Sequence, residues 1–369
     1  MTLKAPYILA LCEAAQQSSV TFGMATRLGA QNQSFNVDAA KGIHSIVTFS
    51  PATESVAIDF LNEFQKVSCL HHLVASVLSG EADADADQWA QDVLMAVRDL
   101  DPQEVPMALK PVLALASEYL THLLIAVRNP GGKETPQVSA CPTRDIVQTL
   151  PRITALINEA VVNRSQAVLK TLIYARDGYN CALTDFSFDP QADSIKPRCA
   201  HVLPFYLHDM PASLRIIESF TGKQSSVEAT LANINHPRNA FHVQIDARDY
   251  FDELKWGIEA TQADGQTKYL YRKVASKSCA TIRRRDGDEI LFNRGKNGNV
   301  IDGPDPEYCN LKLAIARAFH ASGAADIIAE IYDNDDEDDF VARPIYFGGP
   351  FTSDDILCRR LDDRLAPYV

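Results

Sequence analysis

The chain has 369 residues, 46% of them hydrophobic, and a formal net charge of −13 at pH 7. This length suggests two or three structural units with a sizeable core, and the composition argues against disorder along the whole chain. The surplus of acidic residues argues against general affinity for nucleic acid, because binding to phosphates depends on Lys and Arg.

The charge is unevenly distributed along the chain. Residues 1–165 carry 11 basic and 17 acidic side chains, a balance of −6. Residues 166–300 carry 18 and 16, a balance of +2, and residues 301–369 carry 6 and 15, a balance of −9. The middle of the chain is therefore the one part that is not strongly acidic.

The cysteines and apolar runs indicate the compartment. Eight cysteines are scattered without a CxxC pair, which indicates reduced core thiols rather than a disulfide framework. The apolar run at the N-terminus is short for a signal peptide. The longest apolar segment, 111–127, is short for a membrane span and contains Glu118 and His122. We therefore expect an intracellular protein, cytoplasmic or nuclear, with no membrane partner.

Taken in chain order, the first fifty residues give no clear pattern. From about residue 53 to 128, apolar residues recur at three- and four-residue spacing, which predicts helices punctuated by prolines. A Gly- and Pro-rich stretch at 128–143 marks a boundary. A further helix leads up to Gly178, and we expect it to be bent or broken at Pro151.

The pattern of apolar residues changes after Gly178. Short apolar runs alternate with loops to about residue 275, which predicts strands and one short helix near 247–256. A helical pattern returns at 310–332, and the acidic run at 333–339 is most simply a solvated loop. We predict an α+β protein with a helix-rich region over 1–165, a strand-containing module over 166–275 and a C-terminal helical extension over 276–369 that includes the acidic loop.

Three segments of the module carry the residues that suggest chemistry. They are RDGYNCALTD at 176–185, CAHVLPF at 199–205 and NAFHVQIDARDYFD at 239–252. Their order resembles the HNH endonucleases, in particular a branch common in fungal proteins. The positions that match are Arg176, Asp177, Cys181, Thr184, Ala200, His201, Pro204, Phe205, Asn239, Phe251 and Asp252.

The resemblance implies an HNH-like ββα module, in which two strands and a helix hold one divalent metal ion. It implies that His201 is the general base that takes a proton from the attacking water, a role suited to a pKa near neutral pH. It further implies that Asn239 orients His201 or braces its loop. The metal would polarise the scissile phosphate. The expected activity is phosphodiester hydrolysis by a divergent endonuclease-like protein.

Asp185 replaces the usual glycine of the first segment, and two positions of the implied metal site also depart from the family pattern. Arg248 stands where the last histidine of the motif normally binds the metal, and a guanidinium has no lone pair for a cation. Ala200 occupies a position that holds a ligand in many HNH proteins. A metal would then need substitute ligands, for which His242 and Asp252 are candidates, so a divalent metal cofactor is doubtful.

Arg248 also suggests alternatives. A guanidinium can hold a phosphate or carboxylate bidentately, so the module could serve as a metal-free enzyme for a small anionic molecule, with His201 as acid or base. A third hypothesis is an inactive interaction module, in which His201 is buried and inaccessible. Nucleic acid and a small anionic ligand are both candidate partners, and the acidic flanks disfavour nucleic acid.

A basic cluster, Arg283–Arg285, lies beyond the motif. It could contact a phosphate backbone. Asp286, Asp288 and Glu289 follow at once, however, and could neutralise it.

Overall fold

The computed structural model describes residues 3–23, 37–81, 85–100, 105–128, 149–188, 197–205, 207, 210–223, 232–263, 265–277 and 279–326. The regular elements of these residues are helices and two short two-stranded sheets, which is the α+β class that the sequence predicts. The boundary stretch from residue 129 onward and the acidic run at 333–339 lie outside the described residues.

The helices are numbered here in chain order. They are α1 (Ala5–Gly23), α2 (Val37–Phe49), α3 (Thr53–Gln65), α4 (His71–Ser79), α5 (Ala86–Arg98), α6 (Val105–Tyr119), α7 (Leu150–Val162), α8 (Gln166–Asp177), α9 (Pro211–Thr221), α10 (Ile245–Asp252) and α11 (Pro306–Ala321). Helix α6 continues as a π-helical turn, Leu120–Ile125, and then as Ala126–Arg128.

Polar side chains begin several of these helices by accepting N–H groups that the helix itself leaves unpaired. The carboxylate of Asp85 accepts the N–H of Gln88 at 2.7 Å where α5 begins. Asp305, followed by Pro306 in the first turn, plays the same part for α11. These signals explain why the two helices begin where they do.

One helical core joins the N-terminal helices to the C-terminal helix. Phe60, Leu123 and Phe319 are fully buried in the same apolar cluster. Helix α11 packs against α2, against the π-helical turn after α6 and against a strand of the module. The C-terminal helix therefore links the helical core to the strands.

The apolar stretch at 111–127 belongs to a longer helix than we expected. By length and composition alone, Ala108–Arg128 is apolar enough to cross a membrane, with a mean hydropathy of 1.2 over its most apolar part. Within this fold, Leu123, Leu124 and Val127 are buried in the helical core. Those side chains pack as those of a core helix do.

Two antiparallel strand pairs form the sheets. Strands β1 (Arg198–His201) and β2 (Ala240–Val243) pair with each other, and α10 follows β2 after one residue. Strands β3 (Trp256–Ala263) and β4 (Gln266–Lys273) form a hairpin whose tip includes Gly265 at φ +74°. A left-handed φ of this kind favours glycine in a tight hairpin.

The sequence pattern gave no prediction for α1 and α2 in the first fifty residues or for β3. Two predictions about prolines were wrong. Pro151 lies in the first turn of α7, where proline is tolerated, and the break between α7 and α8 falls at Arg164, whose φ is +50°. Pro111 lies inside α6 instead of ending it.

All six cysteines that the structure describes are free thiols, in agreement with the sequence. They are Cys12, Cys69, Cys181, Cys199, Cys279 and Cys309.

Candidate functional site

The site is built on the β1–β2 pair. In the antiparallel register, Cys199 faces His242 and His201 faces Ala240. Because side chains alternate along a strand, these four residues share one face of the pair. Phe241 lies on the other face, where its ring meets that of Phe251 from α10 with centroids 5.2 Å apart. The strand pair and the helix after it are thus held by an aromatic contact.

His201 is buried at the end of β1. The residue is only 7% exposed, and its Nε2 lies 3.2 Å from Oδ1 of Asn235. The amide of Asn235 donates to the carbonyl of Ala160 at 2.8 Å, which turns its oxygen toward the imidazole. Nε2 of His201 must therefore donate, and in the neutral ring Nδ1 carries the lone pair.

Burial is the main reason that the pKa of His201 is lowered to about 4. The hydrogen bond with Asn235 raises it, and the positive charges of Arg248 and Lys312 lower it further. At pH 7 the imidazole is therefore neutral. A neutral imidazole can accept a proton, but a pKa this low makes it a weak base.

Asn239 braces the loop that follows His201. Its Oδ1 accepts the N–H of Leu203 at 2.8 Å, and its Nδ2 donates to the carbonyls of Leu203 and Ile234 at 2.9 and 2.8 Å. The side chain is fully buried. These bonds fix the backbone just after β1 and just before β2. The hydrogen-bond partner of the His201 imidazole is Asn235, not Asn239.

Arg248 lies on α10, and Gln244 begins this helix by accepting the N–H of Ala247 at 3.1 Å. Nε of Arg248 is 3.1 Å from Oδ2 of Asp252, one turn further along. The two side chains are 20% and 22% exposed. Nε is itself buried and has no hydrogen-bond partner of suitable geometry in the described part of the chain. The guanidinium is thus close to a carboxylate but incompletely satisfied.

Lys312 of α11 is a second cation beside this helix. The residue is only 1% exposed, and its Nζ lies 3.7 Å from the centroid of the Phe251 ring. Nζ has no hydrogen-bond partner among the described residues. Burial lowers the pKa of Lys312 to about 8, opposed by the charge of Asp252 and assisted by that of Arg248. At pH 7 the ammonium is still largely protonated.

The candidate metal ligands, His242 and Asp252, are not grouped with a third possible ligand among the described residues. His242 is buried, its ring lies 4.0 Å from that of Tyr174, and Asp252 is paired with Arg248. Burial lowers the pKa of His242 far below the usual value. Over the described residues, no three His, Cys, Asp or Glu side chains are grouped so that they could hold a metal ion. The two cations near His201 also oppose a positive ion, so the residues present do not fit the implied metal.

The first motif segment has a structural role. The guanidinium of Arg176 is fully buried and pairs with the carboxylate of Asp177 through two hydrogen bonds of 2.8 and 2.6 Å. Its remaining donors reach the carbonyls of Pro237, Asp302 and Ala240. All five donors of the guanidinium are used, so this pair ties the end of α8 to β2 and to the chain before α11.

The basic cluster after the module is partly neutralised. Arg284 pairs with Asp185 at 2.7 Å. Asp286 pairs with Arg272 at 3.3 Å, while Arg283 and Arg285 are exposed. Among the described residues, the charge of Arg284 is offset by Asp185, while Arg283 and Arg285 face solvent.

Two residues of the site were missed in the sequence. Asn235 lies four residues before Asn239, outside the three motif segments, and a buried amide there has no local signature. Lys312 sits at an inward position of an amphipathic helix, in NLKLAIARAF. A lysine among the apolar positions of a helix is the one signal that could have drawn attention to it.

No family model, no curated protein and no solved structure matches this chain.

Proposed function

We propose that the module acts without a metal and binds a small anionic group at Arg248, beside a neutral His201. The observation that carries this proposal is a buried guanidinium nitrogen, Nε of Arg248, that lies 3.1 Å from Asp252 without a hydrogen bond of suitable geometry, at the position where the HNH resemblance expects a metal ligand. A buried polar atom that lacks a partner is costly, and an oxyanion would supply one.

The local charges support an anion over a cation. Arg248 and Lys312 each carry a positive charge at pH 7, and Asp252 carries one negative charge. His201 adds no charge because its pKa is about 4. The buried and half-buried groups thus leave one positive charge in excess, which attracts an anion and repels a divalent ion.

The proposal is tested by comparing wild type with Arg248→Met. Unfolding in urea is followed in sodium acetate and in sodium chloride at equal ionic strength, since a ligand of the folded state raises the midpoint. We expect acetate to raise the wild-type midpoint more than chloride does, and the difference to vanish in Arg248→Met. An exposed control, Arg285→Met, should keep it. Equal midpoints in the two salts for the wild type would refute anion binding.

Phosphodiester hydrolysis with His201 as general base is the second candidate. It is favoured by the order β1, β2, α10, by His201 at the end of β1 and by Asn239 next to its loop. Plasmid nicking by wild type, absent in His201→Ala, would support it. The assay is run with magnesium, with manganese and with a chelator, and we expect no nicking in any of them.

Absence of both anion binding and nicking would favour the interaction module. The burial of His201 is the feature that this hypothesis predicts.

A further inference from the structure

Lys312 is a buried cation whose charge the described protein does not satisfy. It makes no ion pair within 4 Å and no hydrogen bond with any residue that the structure describes, and its one contact for the charge is the ring of Phe251. Asp252 acts on Lys312 from a distance and is already paired with Arg248. Burial of an ammonium without a paired anion is strongly unfavourable.

The fold holds Lys312 in a buried position. Helix α11 is fastened to β3 by Asn310, whose side chain accepts from the N–H of Ala260 at 2.8 Å and donates to its carbonyl at 2.9 Å. Gly257 of β3 permits the close approach, since a Cβ there would lie 2.9 Å from a methyl carbon of Leu313. The helix therefore holds Lys312 in place, and its long side chain does not extend to the surface.

We propose that Lys312 is the second cationic arm of the Arg248 site, and that this site takes an oxyanion with a single negative charge, a carboxylate or a phosphodiester. This inference rests on the proposed function. Arg248, Lys312 and Asp252 together leave one positive charge, which a single negative charge would neutralise. Asp249, next to Arg248 in the chain, interacts with the charge of Arg248, but it is exposed to solvent, which screens that interaction.

The burial pattern suggests how the anion is held. Arg248 and Asp252 are partly exposed, whereas Lys312 and His201 are buried, so an anion from solvent meets Arg248 first. An entering oxyanion takes over Arg248 from Asp252 with one oxygen and accepts from Lys312 with another. Two charge-assisted hydrogen bonds from separate elements would give both affinity and orientation.

The experiment uses the full chain and two probes, acetate and dimethyl phosphate, each compared with chloride at equal ionic strength. The dissociation constant is obtained from the rise of the urea midpoint with probe concentration. Loss of one charge-assisted hydrogen bond predicts that Lys312→Met weakens binding by about 10- to 100-fold. The exposed control Lys277→Met should bind as wild type does. Raising the pH from 7 to 9.5 should weaken binding by wild type and leave Lys312→Met unchanged, because only the wild type has an ammonium to lose.

The outcomes separate the two proposals. Preference for acetate assigns a carboxylate ligand, preference for dimethyl phosphate assigns a phosphodiester, and either supports the inference if Lys312→Met weakens it. If Lys312→Met binds as tightly as wild type while Arg248→Met does not bind, the inference is overturned and the proposed function stands. If wild type prefers neither probe to chloride, both are overturned.

Discussion

Replacing Lys312 by methionine should stabilise the unliganded protein. Burial lowers the pKa of this lysine from 10.5 to about 8. Each pKa unit corresponds to 1.36 kcal/mol, so holding the protonated lysine in the folded state costs about 3 kcal/mol. Methionine has a similar length, keeps a contact with the Phe251 ring and carries no charge. The lost cation–π contact, worth about 0.5–2 kcal/mol, offsets part of the gain. We expect a net stabilisation of about 1–3 kcal/mol.

The pH dependence identifies the cause. Below pH 8 the lysine is protonated in both states, so the folded state bears the whole penalty. Between about pH 8 and 10.5 the folded lysine loses its proton first, and the penalty declines as the pH rises. The advantage of Lys312→Met should therefore be fully present at pH 7 and reduced to about half at pH 9.5.

Urea unfolding of wild type and Lys312→Met at the two pH values measures this effect, in chloride and without an oxyanion. The exposed Lys277→Met serves as the matched control and should change little. A destabilised Lys312→Met at pH 7 would refute the reasoning, because it would mean that the ammonium has a partner in the free protein. A stabilisation that does not change with pH would show that packing, not charge, is responsible.

Three further predictions concern a site residue, the buried Arg176 pair and two glycines. As the pH falls from 6.5 through about 4, the free energy of unfolding of wild type should fall by up to about 3 kcal/mol more than that of His201→Gln. The reason is that the unfolded imidazole takes up a proton, whereas the folded one, with its lowered pKa, does not. Urea curves of both proteins at pH 7 and 4 measure this difference, and equal losses in the two proteins would contradict it. Arg176→Lys should cost about 3–5 kcal/mol in urea unfolding, since an ammonium keeps the charge but cannot serve five acceptors in a plane. Gly298→Ala should lower the free energy of unfolding by about 1–3 kcal/mol, because the added Cβ would collide with the carbonyl oxygen of Asn293. Gly42→Ala should raise it, because Gly42 lies inside α2 with nothing near the position of the added Cβ.

Local pattern accounts for the parts of the fold that were predicted. The runs around His201 and His242 are short, apolar and bounded by polar turns, and they form β1 and β2. Polar residues after β2 begin a short helix, which the structure has at Ile245–Asp252 instead of 247–256. The departure at Arg248 was visible because a motif position prescribes a residue type there.

The parts that were missed depend on contacts between distant segments. Asn235 meets the imidazole of His201 only because the loop before β2 folds back over β1. Lys312 reaches the site from more than sixty positions further along the chain than Arg248, through the packing of α11 on β3. The break at Arg164 requires a left-handed backbone in a residue without strong preference for it. Periodicity carries no information about any of these three.

The two cations suggest why restoring the motif histidine alone will not restore a metal site. Arg248 and Lys312 together carry the charge of one divalent ion, next to the place where the resemblance puts the metal. In Arg248→His, the ammonium of Lys312 remains and repels an incoming Zn²⁺ in a buried, weakly screened setting. The double variant Arg248→His with Lys312→Met removes both charges, so we expect it to bind Zn²⁺ at least tenfold more tightly than the single variant.

Zinc titration calorimetry of the two variants, with Lys312→Met alone as the control, measures this difference. Equal Zn²⁺ affinities would show that the charge of Lys312 has no effect on ion binding at position 248. The electrostatic argument for an anion shared by the two residues would then fail as well. Failure of the double variant to bind would show that charge is not the obstacle and that the strand pair lacks the remaining ligands. A gain confined to the double variant would mean that the charge of Lys312, a residue outside the motif, opposes a cation at position 248.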